Sequence, residues 1–463
     1  MKNISIKLLG VWICVGLFFP KEINAQWVKI FGGTGHDEAF SVQQTSDGGY
    51  IIAGYTYSFG AGDQDVLLIK TNASGSVQWS KTFGGAGSER AYSVQQTNDG
   101  GYIIAGATNS FGESWGDVFL IKTDASGNLQ WAKTIGSGFA DYATSVKQTS
   151  DGGYIAVGTF NIGGGPQALL IKTDASGNVQ WTRNFGHGFA TSFQQTNDGG
   201  YIIAGHTNYF GVGGNDVFLI KTDASGNLQW ARTLGGANYD EGANSVQQTS
   251  DGGYIIAGYR GGDILLIKTD AVGNVQWAKT IGGPGNDYAT SVQRTADGGY
   301  ILTGKTNSFG FGNYDVFLIK IDANGNIQWA KTVGGTNIDW GNFAQQTNDG
   351  GYIIAGGTWF GTGSNHNVFL IKTDDIGNTC PVSTANPTVT DISLSITSPP
   401  LSTISPPVSA NVNPVETSPS VTESGICLSV GENSSFFPKI EHFSFKNNKI
   451  SLKFSGYKEG EIK

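Results

Sequence analysis

The stretch DVFLIKTDASGNLQWAKTIG, residues 117–136, recurs in close copies along the chain. It consists of an apolar run, a tight polar turn and a second run that carries a tryptophan. Seven tryptophans occupy the equivalent position, and their spacing is 47 to 52 residues: Trp27, Trp79, Trp131, Trp181, Trp230, Trp277 and Trp329. A sequence that repeats at such a period folds into repeated structural units, so this stretch decides the fold.

A second block, QTxDGGYIIAG, alternates with the first. Its DGGY begins at Asp47, Asp99, Asp151, Asp198, Asp251, Asp297 and Asp349. Each repeat therefore holds four strand-like runs, which in the second copy are residues 91–97, 102–108, 117–123 and 129–136. The NDGG and DASGN turns contain the Gly and Asn residues that tight hairpins need. Four strands per repeat of this length are typical of a propeller blade.

The two ends of the repeat region are out of phase. The strand-like run 26–33 has no partner strands before it, and residues 367–378 run into Thr379 and Cys380 where a Trp strand is due. The N-terminal strand is therefore predicted to complete the last blade, which leaves no open edge in the ring. The sequence predicts an all-β, seven-bladed propeller of four-stranded blades over residues 26–379.

The region 26–378 resembles the bacterial secreted β-propeller repeat proteins. Its D-x-x-G-x-x-x-W element is similar to the Trp-docking element of the quinoprotein-type propellers, with an Asp-to-Gly spacing that is one residue shorter. The resemblance implies the order of strands within a blade: SVQQT innermost, YIIAG second, VFLIK third and QWAK outermost. A fold of this kind supports many functions, so the resemblance implies no activity.

Composition and motifs narrow the function classes. The 463 residues include 70 glycines, and 14% of residues are charged, which suits a turn-rich β protein. The net charge of −9 argues against nucleic-acid binding. No histidine pair has metal-site spacing and no serine lies in a G-x-S-x-G motif. The sequence therefore predicts no catalytic residue, no metal and no cofactor.

Residues 1–25 have the features of a secretory signal peptide. Lys2 and Lys7 precede the apolar stretch LLGVWICVGLFF, and Ala25 supplies a small residue for cleavage. An uncleaved anchor is the alternative, although the apolar stretch is short for a membrane span. We expect a protein that is secreted or attached to the cell surface, with no transmembrane segment in the mature chain.

The C-terminal part divides at about residue 428. Prolines rule out regular helix over the Pro/Ser/Thr-rich segment 380–428, and its composition favours a linker. The alternation of Ile392, Leu394 and Ile396 leaves open a strap that lies as a strand against the ring. Cys380 and Cys427 flank the segment and could form a disulfide. Residues 429–463 form a β-rich fragment that resembles a truncated type IX secretion sorting domain, without the Pro-Asn-Pro element of that domain.

Comparison of the repeats predicts where recognition occurs. The SxDGG and DASGN turns barely vary and fall on one face of the ring, here called the constant face. The other two connections of each blade vary and fall on the opposite, variable face, where binding residues are expected. The candidate ligand-binding residues are those in variable loops that do not recur: Trp115, Trp340, Trp359, Tyr239, Glu113 and Arg260. The recurring Phe59, Phe111, Phe210 and Phe309 are expected to fill space within the loops.

An acidic residue follows almost every outermost strand at the same distance. The six positions are Asp37, Glu89, Asp141, Asp240, Asp287 and Asp339. In a closed ring they would form a circle near the mouth of the central channel. One interpretation is that each carboxylate accepts backbone hydrogen bonds where the inner strand begins. The other is an anionic ring that attracts a cation such as Ca²⁺, although no dense calcium loop is present.

The leading hypothesis for function is a non-catalytic binding or adhesion module. It would act as a monomer and engage a glycan or a surface protein through its variable face. The first alternative is a carbohydrate-active enzyme that uses variable-face carboxylates such as Glu38, Glu89, Glu113 and Glu241. The second alternative is a passive scaffold at the cell surface.

Overall fold

The structure is a computed structural model, and its residues fall into two compact units, Met1–Cys427 and Leu428–Lys463. It describes residues 26–112, 115–161, 164–359, 365–379, 383–385, 387–391, 395–397, 408–411, 415–417, 422–425, 440–446 and 449–454. The signal peptide, Glu113, Cys380 and Cys427 lie outside these residues, so those predictions stand as they were made. Within the described residues no helix is long and apolar enough to cross a membrane.

The first unit is a ring of seven antiparallel blades, which confirms the predicted fold class. Blade 1 is formed by β2 (Asp37–Gln44), β3 (Tyr50–Thr56), β4 (Asp65–Thr71) and β5 (Val77–Gly84). Blade 2 is formed by β6 (Glu89–Gln96), β7 (Tyr102–Thr108), β8 (Asp117–Thr123) and β9 (Leu129–Gly136). Blade 3 is formed by β10 (Tyr142–Gln148), β11 (Tyr154–Asn161), β12 (Pro166–Thr173) and β13 (Val179–His187). Blade 4 is formed by β14 (Phe189–Gln195), β15 (Tyr201–Thr207), β16 (Asp216–Thr222) and β17 (Leu228–Gly235). Blade 5 is formed by β18 (Glu241–Gln248), β19 (Tyr254–Arg260), β20 (Asp263–Thr269) and β21 (Val275–Gly282).

Blade 6 is formed by β22 (Asp287–Arg294), β23 (Tyr300–Thr306), β24 (Asp315–Ile321) and β25 (Ile327–Val333). Blade 7 takes β26 (Asp339–Gln346), β27 (Tyr352–Thr358) and β28 (Asn367–Thr373) from the end of the repeats and β1 (Trp27–Gly32) from their beginning. In this blade Ile30 pairs with Phe369 in antiparallel register. The N-terminal strand therefore closes the ring, as its position in the sequence predicts.

The hydrophobic core lies between neighbouring blades. Successive residues of a strand point to opposite faces of the sheet, so Ile103 and Ile104 of blade 2 face different neighbours. Ile104 packs with Phe83 of blade 1, whereas Ile103 packs with Val146 of blade 3. The strands YIIAG and VFLIK are buried on both faces, and this is why they lack the polar alternation of a half-exposed sheet.

A joint on the constant face connects each blade to the next, and we call it the Trp joint. The Trp79 ring of blade 1 covers Gly127, where an added Cβ would lie 2.7 Å from the ring. The same Trp79 lies edge-on to Tyr102 of the DGGY motif in blade 2, with ring centroids 5.8 Å apart. Trp27 of β1 makes the same contacts with Gly75 and Tyr50 of blade 1. The Trp, the DGGY tyrosine and the turn glycine therefore form one inter-blade contact.

A buried lysine ties the turns of each blade together. Lys70 is only 4% exposed. Its ammonium donates to Asp47 Oδ2 at 2.8 Å, to the Thr71 carbonyl at 2.8 Å and to Gln78 Oε1 at 3.0 Å. All three of its protons thus have acceptors, which is the condition for burying an ammonium group without a large penalty. Asp47 belongs to the DGG turn and Gln78 to the outermost strand, so this lysine fixes both ends of the blade.

Six short strands of the C-terminal segment add to the outer edges of the blades, and we call them the strap strands. They are β29 (Ser383–Thr384), β30 (Thr388–Asp391), β31 (Ser395–Thr397), β32 (Val408–Asn411), β33 (Val415–Thr417) and β34 (Thr422–Gly425). In chain order they pair with the outermost strands of blades 6, 5, 4, 2, 1 and 7. The sequence left two interpretations of this segment open, a linker and a strap against the ring. The described residues of the segment form the strap. The bounds 380–428 remain a prediction.

The second unit contributes two described strands, β35 (Ile440–Lys446) and β36 (Lys449–Phe454), which pair as an antiparallel two-stranded sheet. The resemblance of residues 429–463 to a sorting domain stays a prediction.

The Trp joint predicts unequal effects of two Gly→Ala substitutions in blade 2. Gly127 has φ +81° and lies under Trp79, whereas Gly100 has φ +82° and a Cβ there would meet nothing nearer than 3.8 Å. Gly100→Ala is expected to lower the free energy of unfolding by about 1–2 kcal/mol through backbone strain alone. Gly127→Ala adds overpacking against the indole and is expected to cost about 2–4 kcal/mol. Urea unfolding measures both, and equal losses would contradict the joint.

Candidate binding face

Two buried carboxylates anchor the variable loops between blades 6 and 7. Asp315 Oδ2 accepts the Phe311 and Gly312 N–H groups at 2.9 and 3.1 Å, which fixes the loop before β24. Asp339 Oδ2 accepts the Gly335 N–H at 2.7 Å, which fixes the loop before β26. The two side chains flank Gly334, where a Cβ would lie 2.0 Å from Asp315 Oδ1 and 2.7 Å from Asp339 Oδ2. These two loops of the variable face thus each have a fixed end, although the loop sequences vary between blades.

The same carboxylate pair recurs at five of the seven junctions between blades. The pairs are Asp65–Glu89, Asp117–Asp141, Asp216–Glu241, Asp263–Asp287 and Asp315–Asp339. The first member of each pair begins the third strand of a blade, and the second begins the inner strand of the next blade. Gln167 stands at the first position in blade 3, and Asn367 stands there in blade 7.

The structure places five of the six predicted ring acids at the start of an inner strand. Asp37, Glu89, Asp141, Asp287 and Asp339 are buried there. Asp240 is exposed, and Glu241 takes the equivalent place because β18 begins at Glu241 and the preceding loop is one residue longer. The buried carboxylates accept hydrogen bonds from their own loops, as at Gly33 and Gly85, both at 2.8 Å. Among the described residues no group of three or more His, Cys, Asp or Glu side chains could hold a metal.

Burial and like charge change the acidity of these pairs. Burial, together with a nearby carboxylate, raises the pKa of Asp141, Asp216 and Asp315 to about 6. The nearby carboxylate is the other member of the pair for Asp141 and Asp315, and it is Asp240 for Asp216. Burial also raises the pKa of Glu241 to about 7, although the charge of Arg260 opposes it. Asp315 Oδ1 is buried without a hydrogen-bond partner. These carboxyl groups therefore hold a proton near neutral pH more readily than ordinary ones do.

Ring closure creates a polar cluster between blades 7 and 1, which we call the seam cluster: His36, Glu38, Tyr55, Trp340, Asn342 and His366. Glu38 lies at its centre. Glu38 Oε1 accepts from the Trp340 indole N–H at 2.7 Å and from the Asn342 amide at 2.8 Å. Glu38 Oε2 accepts the Tyr55 hydroxyl at 3.0 Å. Both carboxylate oxygens are therefore occupied.

Two histidines complete the seam cluster. His366 Nε2 lies 3.1 Å from the Tyr55 hydroxyl, and its Nδ1 lies 2.9 Å from Nδ1 of His36. Burial, with a contribution from His36, lowers the pKa of His366 to about 4, so this imidazole is neutral at pH 7. The sequence analysis missed the pair because the two histidines are 330 residues apart. The predicted closure was the available signal, since it places the last variable loop of blade 7 beside the first loop of blade 1.

Every exposed aromatic side chain of the described residues lies on the variable face. Trp115 is the most exposed, at 72%, and Tyr209 and Phe311 are each 61% exposed. The others are Tyr57, Phe139, Tyr239 and Trp359. The large apolar side chains exposed on the constant face are aliphatic, Val272 and Ile376. Exposed apolar surface on one face of a soluble fold indicates an interaction surface.

The predicted ligand-binding residues divide into different environments. Tyr239 and Arg260 lie together, with the guanidinium 4.6 Å from the ring centroid, and Arg260 also forms a 2.7 Å ion pair with the buried Glu241. Trp340 is half-buried in the seam cluster and lies edge-on to His366. Trp115 and Trp359 are exposed. The structure thus brings Tyr239 and Arg260 together but leaves the three tryptophans in separate environments.

The recurring loop phenylalanines pack inward. Phe111 lies 6.0 Å from Phe119 between ring centroids, and Phe309 lies 5.7 Å from Phe317. Both loop residues pack against the core clusters between blades. The described contacts of these two residues are those of space-filling side chains.

No protein-family model and no curated protein matches the chain. Solved structures that are similar to it include the WD40 domain of Pan2 from Neurospora crassa, at 10% identity and a TM-score of 0.46, covering 74% of this chain and 91% of that one. Sqt1 from Chaetomium thermophilum, bound to the N-terminus of the ribosomal protein L10, matches at 8% identity and a TM-score of 0.43, covering 74% and 98%. A protein from Lactobacillus plantarum matches at 11% identity and a TM-score of 0.40, covering 78% and 100%.

The carboxylate pairs predict a decline in stability as the pH rises. A carboxyl group with a raised pKa stabilises the fold below its unfolded pKa, and the contribution is lost as the pH rises through the folded value. For Asp141, Asp216, Asp315 and Glu241 this window runs from about pH 4 to about pH 7. His366 acts in the opposite direction, since its lowered pKa costs stability as the pH falls from 6.5 to about 4. Four groups outweigh one, so the melting temperature is expected to fall between pH 5 and pH 7, within the range of the cited pKa values.

Asp315→Asn tests the origin of this decline. Blade 7 carries Asn367 at the equivalent position, so the fold accepts this residue there. The variant is expected to melt higher than the wild type at pH 8 and to show a smaller decline from pH 5. Asp63→Asn is the control, because Asp63 is exposed and the substitution removes the same charge. If both variants kept the wild-type slope, the carboxylate pairs would not be its cause.

Proposed function

We propose that the chain is a non-catalytic binding module that recognises a protein partner through its variable face. The observation that carries the proposal is the placement of all exposed aromatic side chains of the described residues on that face. Aromatic residues are enriched in protein interfaces because they bury much area with little loss of side-chain entropy. Each is displayed on a loop that ends at a buried carboxylate or its equivalent, so the face is ordered before it binds.

The distribution of these residues favours a protein over a glycan. Five of the seven exposed aromatics lie in loops within blades 1, 2, 4, 6 and 7, and the other two lie in the loops that link blades 2 and 3 and blades 4 and 5, so they are spread around the ring. Sugars are usually bound by aromatic rings that stack within one groove, whereas a protein partner can engage dispersed anchors over a wide area. The Tyr239–Arg260 stack adds a planar cation on an aromatic ring, a pairing of residue types that interfaces favour.

The geometry gives less support to the enzyme alternative. A glycosidase needs one carboxylic acid and one carboxylate that both face the substrate. Glu38 accepts three side-chain hydrogen bonds, Glu89 accepts from Gly85, Thr108 and Ser110, and Glu241 pairs with Arg260. Each of the three is thus engaged by its own scaffold.

The location follows from the N-terminal sequence. We propose that residues 1–25 direct export and that the mature chain begins near Gln26, where the first described strand is about to start. The partner would then be a protein outside the cytoplasm, and the binding would be an adhesion or docking function at the cell surface. N-terminal sequencing of the protein isolated from its source cells tests the export step, and an intact Met1 in the isolated protein would contradict it.

Photo-crosslinking tests the proposed face. A photoreactive phenylalanine analogue is introduced at Trp115 and, in a second protein, at Val272 of the constant face, which is 52% exposed. Irradiation of intact cells is expected to give an adduct of discrete mass from position 115 and none from position 272. Both substitutions lie at exposed sites, so neither is expected to change the melting temperature by more than about 2 °C.

The other outcomes separate the alternatives. Adducts from both positions, or from neither, would contradict a variable-face protein partner, and the second result would favour the passive scaffold. A glycan array probed with the wild type and with Trp115→Ala covers the remaining case. Glycan binding that is lost in Trp115→Ala would assign the face to a sugar and overturn the choice of a protein.

A further inference from the structure

The innermost strands enclose a central channel with a cavity of about 200 Å³. Three layers of side chains from equivalent positions line it. The layer nearest the constant face contains Gln43, Gln247, Gln293, Gln345 and Lys147. All five pair with the isoleucine that follows the DGGY tyrosine, so they occupy one register position in five blades.

Lys147 breaks the repeat of this layer. The six other blades carry glutamine at the position, including Gln95 and Gln194 in the remaining two blades. The exposed part of the Lys147 side chain lies in the central channel. Its ammonium has no hydrogen bond and no ion pair with any described residue, and no acidic residue lines the cavity. Lys147 thus places one positive charge without a counter-charge inside the ring.

Three glutamines of this register position turn their carboxamide oxygens toward the wall of the ring. Gln43 Oε1 accepts the Gln96 backbone N–H at 2.6 Å, and Gln345 Oε1 accepts the Gln44 backbone N–H at 3.2 Å. Gln95 Oε1 accepts the Gln148 backbone N–H at 2.6 Å. A backbone N–H can only donate, so the atom that faces it must be the carboxamide oxygen. The NH₂ group of each side chain then has no partner among the described residues.

Two serines of the layer above, Ser41 and Ser93, also accept from the wall. Ser41 Oγ accepts the Val94 N–H at 3.3 Å, and Ser93 Oγ accepts the Val146 N–H at 3.2 Å. A hydroxyl that accepts from the wall has its own proton left to donate. Ser245 differs, since its hydroxyl donates to the Val292 carbonyl at 3.3 Å. The donors that these two layers leave to the channel are therefore the hydroxyls of Ser41 and Ser93 and the carboxamide NH₂ groups described above.

We propose that the channel is a binding site for a small monocarboxylate anion, held between the Lys147 ammonium and the carboxamide NH₂ groups of the glutamine layer. Donors and a single cation around a cavity of this size match a small organic acid. One positive charge balances a monocarboxylate, whereas phosphate at neutral pH would bring close to two negative charges. The site is separate from the loops of the variable face, so it adds to the proposed function without depending on it.

The acidity of Lys147 is consistent with this site. Burial within the ring lowers the pKa of its ammonium, because nothing negative in the wall stabilises the charge. Apart from Lys147, Tyr92 is the only titratable residue that lines the cavity. An anion next to Lys147 would favour the protonated amine. At a pH at which part of the Lys147 amine is unprotonated in the free protein, binding of the anion is therefore expected to be accompanied by proton uptake.

Calorimetric titration with acetate and lactate tests the proposal, and succinate and inorganic phosphate serve as charge-mismatched probes. The wild type is expected to bind the monocarboxylates more tightly than either dianion, and Lys147→Gln to weaken this binding at least about tenfold, which is 1.4 kcal/mol. The variant restores the residue of the six other blades, so it is expected to fold. Lys331→Gln on the outermost strand of blade 6 removes the same charge outside the channel and is expected to bind as the wild type does.

A second measurement uses the amine itself. Trinitrobenzenesulfonate labels unprotonated lysines, and mass spectrometry locates the label. Lys147 is expected to be among the first lysines labelled at pH 8, and acetate or lactate is expected to protect it from the label. Monocarboxylate binding that survives in Lys147→Gln, or no binding of any probe, would overturn the site. Binding of phosphate alone, lost in Lys147→Gln, would overturn the assignment to a carboxylate.

Discussion

The contact on which the ring depends is the Trp joint between neighbouring blades. A blade by itself is a small sheet with two apolar faces, and it becomes stable only when both faces are covered. The interior packing of isoleucine and leucine supplies most of the apolar burial, but it does not define how far one blade turns relative to the next. The indole fixes that relation, because it must fit over a glycine with no Cβ and beside one tyrosine. The same three residue types recur at each joint, and this explains why they vary so little.

The repeated turns of the constant face hold the blades in place, and this allows the loops of the variable face to differ in sequence. The buried lysine holds the two constant-face turns of a blade, and partial burial of Asp47 is outweighed by its hydrogen bonds from Lys70, Thr45 and Gly49, which lower its pKa to about 2. On the variable face the carboxylate pairs do the opposite, since like charges share a buried site and their pKa values rise. The variable loops are thus anchored by groups that are less favourable at neutral pH. Sites that display loops for recognition often retain such strain.

The sequence predicted the blade count and the closure by β1, because both follow from a repeat that is visible in one chain, and the resemblance to known propellers implied the order of strands within a blade. It predicted less well what depends on small offsets or on distant residues. The ring acid of blade 5 was assigned to Asp240, and a loop one residue longer puts Glu241 in its place. The seam cluster could not be found by spacing, since His36 and His366 meet only when the ring closes. Trp340 and Trp115 were equivalent as unrepeated tryptophans, and only burial distinguishes them.

The strap strands show a further limit of pattern analysis. One position of each outermost strand shows how the strap strands are spaced. The residues at this position in blades 5, 4, 2, 1 and 7 pair with strap residues 389, 396, 409, 416 and 423, in that order, and they are Ile281, Leu234, Ile135, Phe83 and Phe31. Strands on neighbouring blades are therefore seven residues apart, and the step from 396 to 409 passes from blade 4 to blade 2. A period of seven is not the two-residue alternation of a strand, and the prolines exclude the helix whose two turns it would match, so the segment resembles a linker.

The prolines of this segment follow from the same geometry. A proline cannot donate a hydrogen bond to a sheet edge, and none lies within the six strap strands. Pro387 comes directly before β30, where its fixed φ is compatible with an extended chain entering the strand. The described strands cover backbone edges that would otherwise be open to pairing with other chains. A composition typical of disorder is thus compatible with a defined structural role, because the order is imposed by the ring and not by the segment itself.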